Sequence, residues 1–165
     1  MKIYLLIICF FYGLQGFCQA SASASVNTRV SVIDPIKINK TLDLNFGNVI
    51  SSYNPGSLIL TPDGTRTANG VQISSSMPGD VSPAEAIVVH GNNSYSINLP
   101  DSFILYNQDN PNQILIINQF VVEPTAGTTA GTDILKIGAT LNLEANQLSG
   151  FYTNTGGFNV TVSYN

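Results

Sequence analysis

His90 is the single histidine in 165 residues, and it bounds the chemistry available to the chain. A zinc centre takes three or four nitrogen, sulfur or carboxylate ligands. Here no second imidazole exists, and both cysteines, Cys9 and Cys18, fall within the first twenty residues. One histidine with no nucleophile signature beside it makes no triad. His90 follows Val88-Val89 and reads as a surface or strand-end residue, so its replacement by alanine is expected to leave fold and role intact. Asp63, in Pro62-Asp63-Gly64, invites a calcium reading. A calcium loop closes on a bidentate acid, whereas Arg66 arrives here, so the stretch reads as a structural turn. Asp101, Asp109 and Glu123 are acids of the kind that cleave glycosides in pairs across a cleft, and nothing in their spacing brings them together. Tyr53 and Tyr106 lie near loops and are the candidates for exposed contacts. Tyr95, Tyr152 and Tyr164 sit in strand alternation and read as core. No catalytic, cofactor-binding or metal-binding residue is assigned, and the chain reads as a non-enzyme.

The N-terminus reads as a secretory signal over residues 1–20. Lys2 supplies the positive start, Ile3 to Phe11 the apolar run, and Cys18-Gln19-Ala20 the small residues that a signal peptidase reads. The run is too short for a membrane span, which takes about 20 apolar residues. Cleavage at Ala22 or Ala24 and lipidation at Cys18 are the alternatives. Residues 21–165 then form one domain with no disulfide, held by packing and ladder hydrogen bonds. The chain carries six cations against ten carboxylates, a net charge of −4, and Lys2 leaves with the signal. That balance excludes nucleic acid and anionic lipid, which want a basic patch.

Short runs of alternating polarity separated by turn signals dictate an all-β fold. The runs are Val26–Ile38, broken at Asp34-Pro35, then 42–47, 57–61 and 65–74 around Pro62-Asp63-Gly64. Ala84–Val89, Ser94–Leu99, Phe103–Tyr106, Ile114–Val122, 135–143 and 158–165 follow. Phe103–Tyr106 and Ile114–Val122 are apolar on both parities and are expected to be buried on both faces. Residues 77–83 and 124–132 read as loops, and 144–148 as a single helical turn. In the last run Phe158, Val160, Val162 and Tyr164 share one face, and Asn159, Thr161, Ser163 and Asn165 the other. About ten short strands with hairpin-length links read as an Ig-like, Greek-key β-sandwich, with a closed barrel as the alternative. Phe46, Tyr95, Ile97, Ile116, Leu141, Val160 and Val162 are the expected core.

The segments LDLNFGNV (42–49), TPDGTRTANGVQI (61–73), NSYSINLP (93–100) and 135–165 resemble a family of secreted bacterial domains of unknown function. That family is in turn similar to spore-coat-U type and other fimbrial subunits. The resemblance implies an Ig-like sandwich assembled by chaperone and usher. It implies a terminal strand with a penultimate aromatic, here Tyr164, and an alternating N-terminal segment that adds to the next subunit. In Ser21–Val32 the residues Ala22, Ala24, Val26, Val30 and Val32 share one parity. Many fimbrial subunits carry a disulfide; residues 21–165 have none.

These readings converge on an exported structural or adhesive protein of the periplasm, outer surface or extracellular space, a fimbria-like or matrix subunit assembled by strand addition. Val26, Val30, Val32, Phe158, Val160, Val162 and Tyr164 are its assembly-strand residues. The two terminal runs are expected to lie side by side with a shared buried face. Expected partners are copies of itself or related subunits, or a surface glycan. The alternative reading is a secreted carbohydrate-binding accessory domain, and a small outer-membrane barrel is the third.

Overall fold

The computed structural model describes residues 20–125 and 131–165. The leader expected at 1–20 lies outside them except for Ala20, as do residues 126–130 of the expected 124–132 loop. The chain divides into two units, Met1–Val32 and Ile33–Asn165. In the first, residues 20–32 are exposed and belong to no strand. The strand expected from Val26 therefore does not form, and pairing begins only at Lys37. Pro35 accounts for the start point, because it lacks the N–H a ladder requires and holds Asp34 extended.

The second unit contains ten strands and, among the described residues, no helix. They are β1 (Lys37–Leu42), β2 (Gly56–Leu60), β3 (Arg66–Asn69), β4 (Ala84–Val89), β5 (Tyr95–Asn98), β6 (Ser102–Asn107), β7 (Ile114–Glu123), β8 (Thr132–Leu143), β9 (Tyr152–Thr153) and β10 (Thr161–Tyr164). Every pairing is antiparallel. Eight strands form one sheet in the order β1-β4-β8-β7-β6-β9, with β2 also bonded to β8 and carrying β3. Strands β5 and β10 form a separate two-stranded sheet.

The 12-residue β8 organises the large sheet. Along one edge its first half pairs with β4, ending at Ala84↔Ile137, and its second half pairs with β2, starting at Leu60↔Ala139. Gly138 sits at this handover. A Cβ there would lie 2.2 Å from the Leu60 carbonyl oxygen, so only glycine lets β2 come this close. On the other edge β8 pairs with β7 through a bulge between Asn118 and Val121, where Gln119 takes a φ of 49°.

The core has two parts. Leu58, Leu60, Leu115, Ile117, Leu141 and Phe46 fill the larger one. Val88, Tyr95 and Leu135 form the smaller, against which Ile38, Ile97, Val162 and Tyr164 pack. The second cluster joins the two-stranded sheet to the inner face of the large one, an unequal two-layer arrangement. Each fully buried aliphatic side chain contributes about 1.5–3 kcal/mol.

Several expectations are corrected. The 42–47 run forms no strand; Asn45 makes one bridge to Ser82. Residues 144–148 form a turn, with Asn146 at φ 53°, instead of a helical turn. Strands β6 and β7 are buried on one face only: Leu115 and Ile117 are buried, while Ile114 and Ile116 are exposed. The second layer has only two strands, so the outer face of β6 and β7 has no cover. Ile116 therefore leaves the expected core, and Ile97, Val160 and Val162 are only half-buried. Phe46, Tyr95 and Leu141 are buried as expected.

Candidate functional site

The hairpin at 61–66 is built by its own side chains. Gly64 N–H donates to Thr61 O at 2.9 Å, and Thr65 N–H donates to the Asp63 carboxylate, also at 2.9 Å. Thr61 Oγ1 donates to the same carboxylate oxygen. The Thr61 hydroxyl first, then the Thr65 amide, hold the Asp63 pKa below its usual value. This carboxylate is spent on its turn. The turn in turn aims Arg66, whose Nη1 lies 2.9 Å from Phe46 O and 3.3 Å from both Asn48 O and Pro78 O. Gly47 lies beneath this clamp at φ 68°, where a Cβ would stand 2.4 Å from Pro78 O. The Asn-Phe-Gly and Pro-Asp-Gly-Thr-Arg stretches thus form one device that fixes the 45–48 loop without regular pairing.

His90 is not a surface residue: it is fully buried at the end of β4. Its Nδ1 lies 2.8 Å from Asn93 O, and its Nε2 lies 3.1 Å from Asp133 Oδ2. The second approach is poorly aligned for a hydrogen bond and is a close polar contact. Tyr95 donates its hydroxyl to the same Asp133 oxygen at 2.9 Å. Burial first, and then the Asp133 carboxylate, push the Tyr95 pKa up, so the phenol stays neutral. Tyr164 Oη is 2.8 Å from Asp34 O and 3.0 Å from His90 O. The cluster fastens β5 and β10 to the large sheet. Its members are all buried except the half-buried Tyr164.

Asp101, Asp109 and Glu123 are exposed, and the first two flank opposite ends of β6. Among the described residues no group of three or more His, Cys, Asp or Glu side chains has the arrangement to hold a metal. Tyr53 is 88% exposed and Tyr106 43%, as expected of loop-proximal tyrosines.

Among the described residues of the second unit lies a groove of about 1290 Å³. Its floor is the inner face of the large sheet: Ala84 and Ala86 of β4, Ile137 and Leu141 of β8, Leu115 and Ile117 of β7, Phe103 and Leu105 of β6. One wall is β1 and the 43–50 loop, with Ile38, Leu42, Leu44 and Phe46. The other is the 150–158 stretch and Val160. Phe158 is held in that wall by ring contacts to Phe120 at 4.9 Å and Phe103 at 5.9 Å. Among the described residues β1, β3, β5, β9 and β10 are each laddered on one side only, and of these β1 and β9 line the groove. Open ladder edges thus border a groove whose floor is continuous with the buried core.

The expected assembly residues distribute unevenly. Phe158 and Val160 line the groove, and Val162 and Tyr164 pack into the smaller core. Their alternation holds, with Asn159, Thr161, Ser163 and Asn165 exposed, but the ladder covers only Thr161–Tyr164. Val26, Val30 and Val32 belong to the first unit, are 84%, 87% and 89% exposed and lie in no strand. Leu42, Leu44 and the 150–157 stretch also line the groove, a placement the sequence does not predict. The alternation of Leu42, Leu44 and Phe46 is the one signal in the sequence for such a face.

The fold defines an all-β domain with an open groove along its large sheet. The model of the DUF4402 family, a domain of unknown function, matches residues 36–164, and the chain belongs to that family. No curated protein and no solved structure matches the chain. Among the described residues no helix is long and apolar enough to cross a membrane.

Proposed function

We propose that this protein is an exported structural or adhesive subunit of the cell surface, fimbria-like or part of a matrix, completed by a β-strand added from outside its own domain. One observation carries the reading: the apolar groove is lined by β1 and β9, the two end strands of the large sheet order, each laddered on one side only. An extended peptide is the ligand that supplies both what the floor lacks, alternate apolar side chains, and what the edges lack, backbone donors and acceptors. A cavity near 1290 Å³ also exceeds the roughly 300–1,000 Å³ of small-molecule pockets.

The test is the state of the protein at the surface of the cell that makes it. Material released by shearing should run as a ladder of multimers that survives mild detergent and collapses to monomer on boiling. Recovery of monomer alone, or retention in the cytoplasm, would overturn the reading.

A further inference from the structure

We infer that the end of the domain formed by residues 50–55, 107–113 and 144–151 is a binding site for a neutral glycan, distinct from the groove. Two buried amides tie these loops together. Gln147 accepts the Glu144 N–H at Oε1, 3.3 Å away, and its Nε2 donates to Tyr152 Oη at 2.8 Å and to Ile114 O at 3.3 Å. Asn107 Oδ1 accepts the N–H groups of Asp109 and Asn110 at 2.9 and 3.2 Å. The 50–55 loop joins through Asn146 N–H to Ser52 O at 2.8 Å and Ser51 Oγ to Gln147 O at 3.2 Å. Gln108 N–H donates to Phe151 O at 2.9 Å. Three irregular segments are thereby held in one arrangement before any ligand arrives, which lowers the ordering cost of binding.

These fixed loops turn large apolar side chains outward. Tyr53 is 88% exposed, Phe151 66%, and Ile50 and Leu148 47% each. A connection between strands needs no ring at its tip, and burial would stabilise each of these side chains. Beside them Asn54, Gln108, Asn112 and Asn146 are exposed amides. Tyrosine among Asn, Gln and Ser supplies rigid contact area at low entropic cost together with adaptable hydrogen bonds, the combination that binding loops use.

The chemistry of the set selects the ligand. A sugar ring has an apolar C–H face that packs on an aromatic ring, and a rim of hydroxyls that each donate and accept. An amide carries both functions in one group. The three loops contain Asp109 and Glu144 and no Lys or Arg. A uronate, sulfate or phosphate would therefore meet like charge and no partner. The same lack of cations removes the attraction that draws loops to anionic lipid. Ile50 and Phe151 also line the groove, whereas Tyr53 does not, so Tyr53 tests this site alone.

The test is affinity electrophoresis of the full chain, produced with its export intact, through gels holding a soluble β-glucan, a mannan, a galactan or the acidic polygalacturonate. Co-sedimentation with phosphatidylcholine vesicles runs beside it. At least one neutral polymer should retard the protein, and salt between about 0.05 and 0.5 M should leave the retardation unchanged, because no ion pair contributes. Tyr53→Ala should weaken it about tenfold, the worth of one aromatic contact, and Tyr53→Phe, which keeps the ring, should hold most of it. Both variants should unfold at the parent's midpoint and form the parent's multimers, since the side chain is exposed and outside the groove. No retardation by any neutral polymer, retention on polygalacturonate alone, or parental binding by Tyr53→Ala would each overturn the site. Vesicle binding that Tyr53→Ala abolishes, without retardation by a glycan, would make this end a membrane contact and overturn the ligand. Retardation by a protein that never forms multimers would overturn strand addition and leave this site standing.

Discussion

Replacing His90 with alanine should weaken the domain severely, the reverse of what its place in the sequence implies. The imidazole is fully buried, with Nδ1 2.8 Å from Asn93 O, Nε2 3.1 Å from Asp133 Oδ2, and its ring centroid 4.9 Å from that of Tyr95. Alanine removes the Asn93 contact, the contact with Asp133 and the ring packed against Tyr95. Truncating a buried ring to alanine costs about 3–5 kcal/mol, a large share of a total stability of about 5–15 kcal/mol. With a urea m-value of about 2 kcal/mol/M, that lowers the midpoint by about 1.5–2.5 M. The assay is urea unfolding of the exported protein followed by far-UV circular dichroism, with Asp133→Asn and the double variant completing a cycle. The coupling energy should reach about 1 kcal/mol or more, as for residues in one network. A His90→Ala midpoint within about 0.3 M of the parent would refute the reasoning. So would strict additivity of the two single substitutions.

Phe46→Ala should cost about 3–5 kcal/mol, because the ring is buried in the larger core; thermal unfolding reads it directly. Gly138→Ala should destabilise and shift the β2 amide resonances, since the new Cβ would stand 2.2 Å from Leu60 O. Arg66→Met should cost about 1.5–3 kcal/mol, the worth of hydrogen bonds from a charged donor. It should also loosen the 45–48 loop, seen as faster amide exchange at Asn48, whose N–H donates to Pro78 O at 2.8 Å. Asp63 has a folded pKa depressed below the unfolded value, so its turn contributes fully above that value and loses this support as pH falls through the folded one. The Thr65 amide shift should therefore titrate with a midpoint below 3.8, and Asp63→Asn should abolish the transition.

Much of the fold was legible as pattern because its causes are local. Alternation in Ala84–Val89 and in 135–143 reports the period of a strand with one wet face. Pro62-Asp63-Gly64 encodes its hairpin in three side-chain preferences. Turn composition set apart the loop at 77–83. The parity of Phe158, Val160, Val162 and Tyr164 also held, since it needs only an extended backbone beside an apolar surface.

What only the tertiary structure decided is which surfaces meet and which are left without a neighbour. Ile116 and Ile117 are identical in type, yet one is 40% exposed and the other buried, because just one face of β7 has a second layer over it. His90 and Asp133 lie far apart in sequence, so nothing local announced their burial together. The Leu42-Leu44-Phe46 run has the alternation of a strand but lines a groove wall. The ladder that would have paired it depends on strands distant in the chain. Alternation establishes that a face is apolar; its cover comes from long-range packing. Here that packing covers Leu115 and Ile117 and leaves Ile114 and Ile116, on the opposite face of β7, exposed.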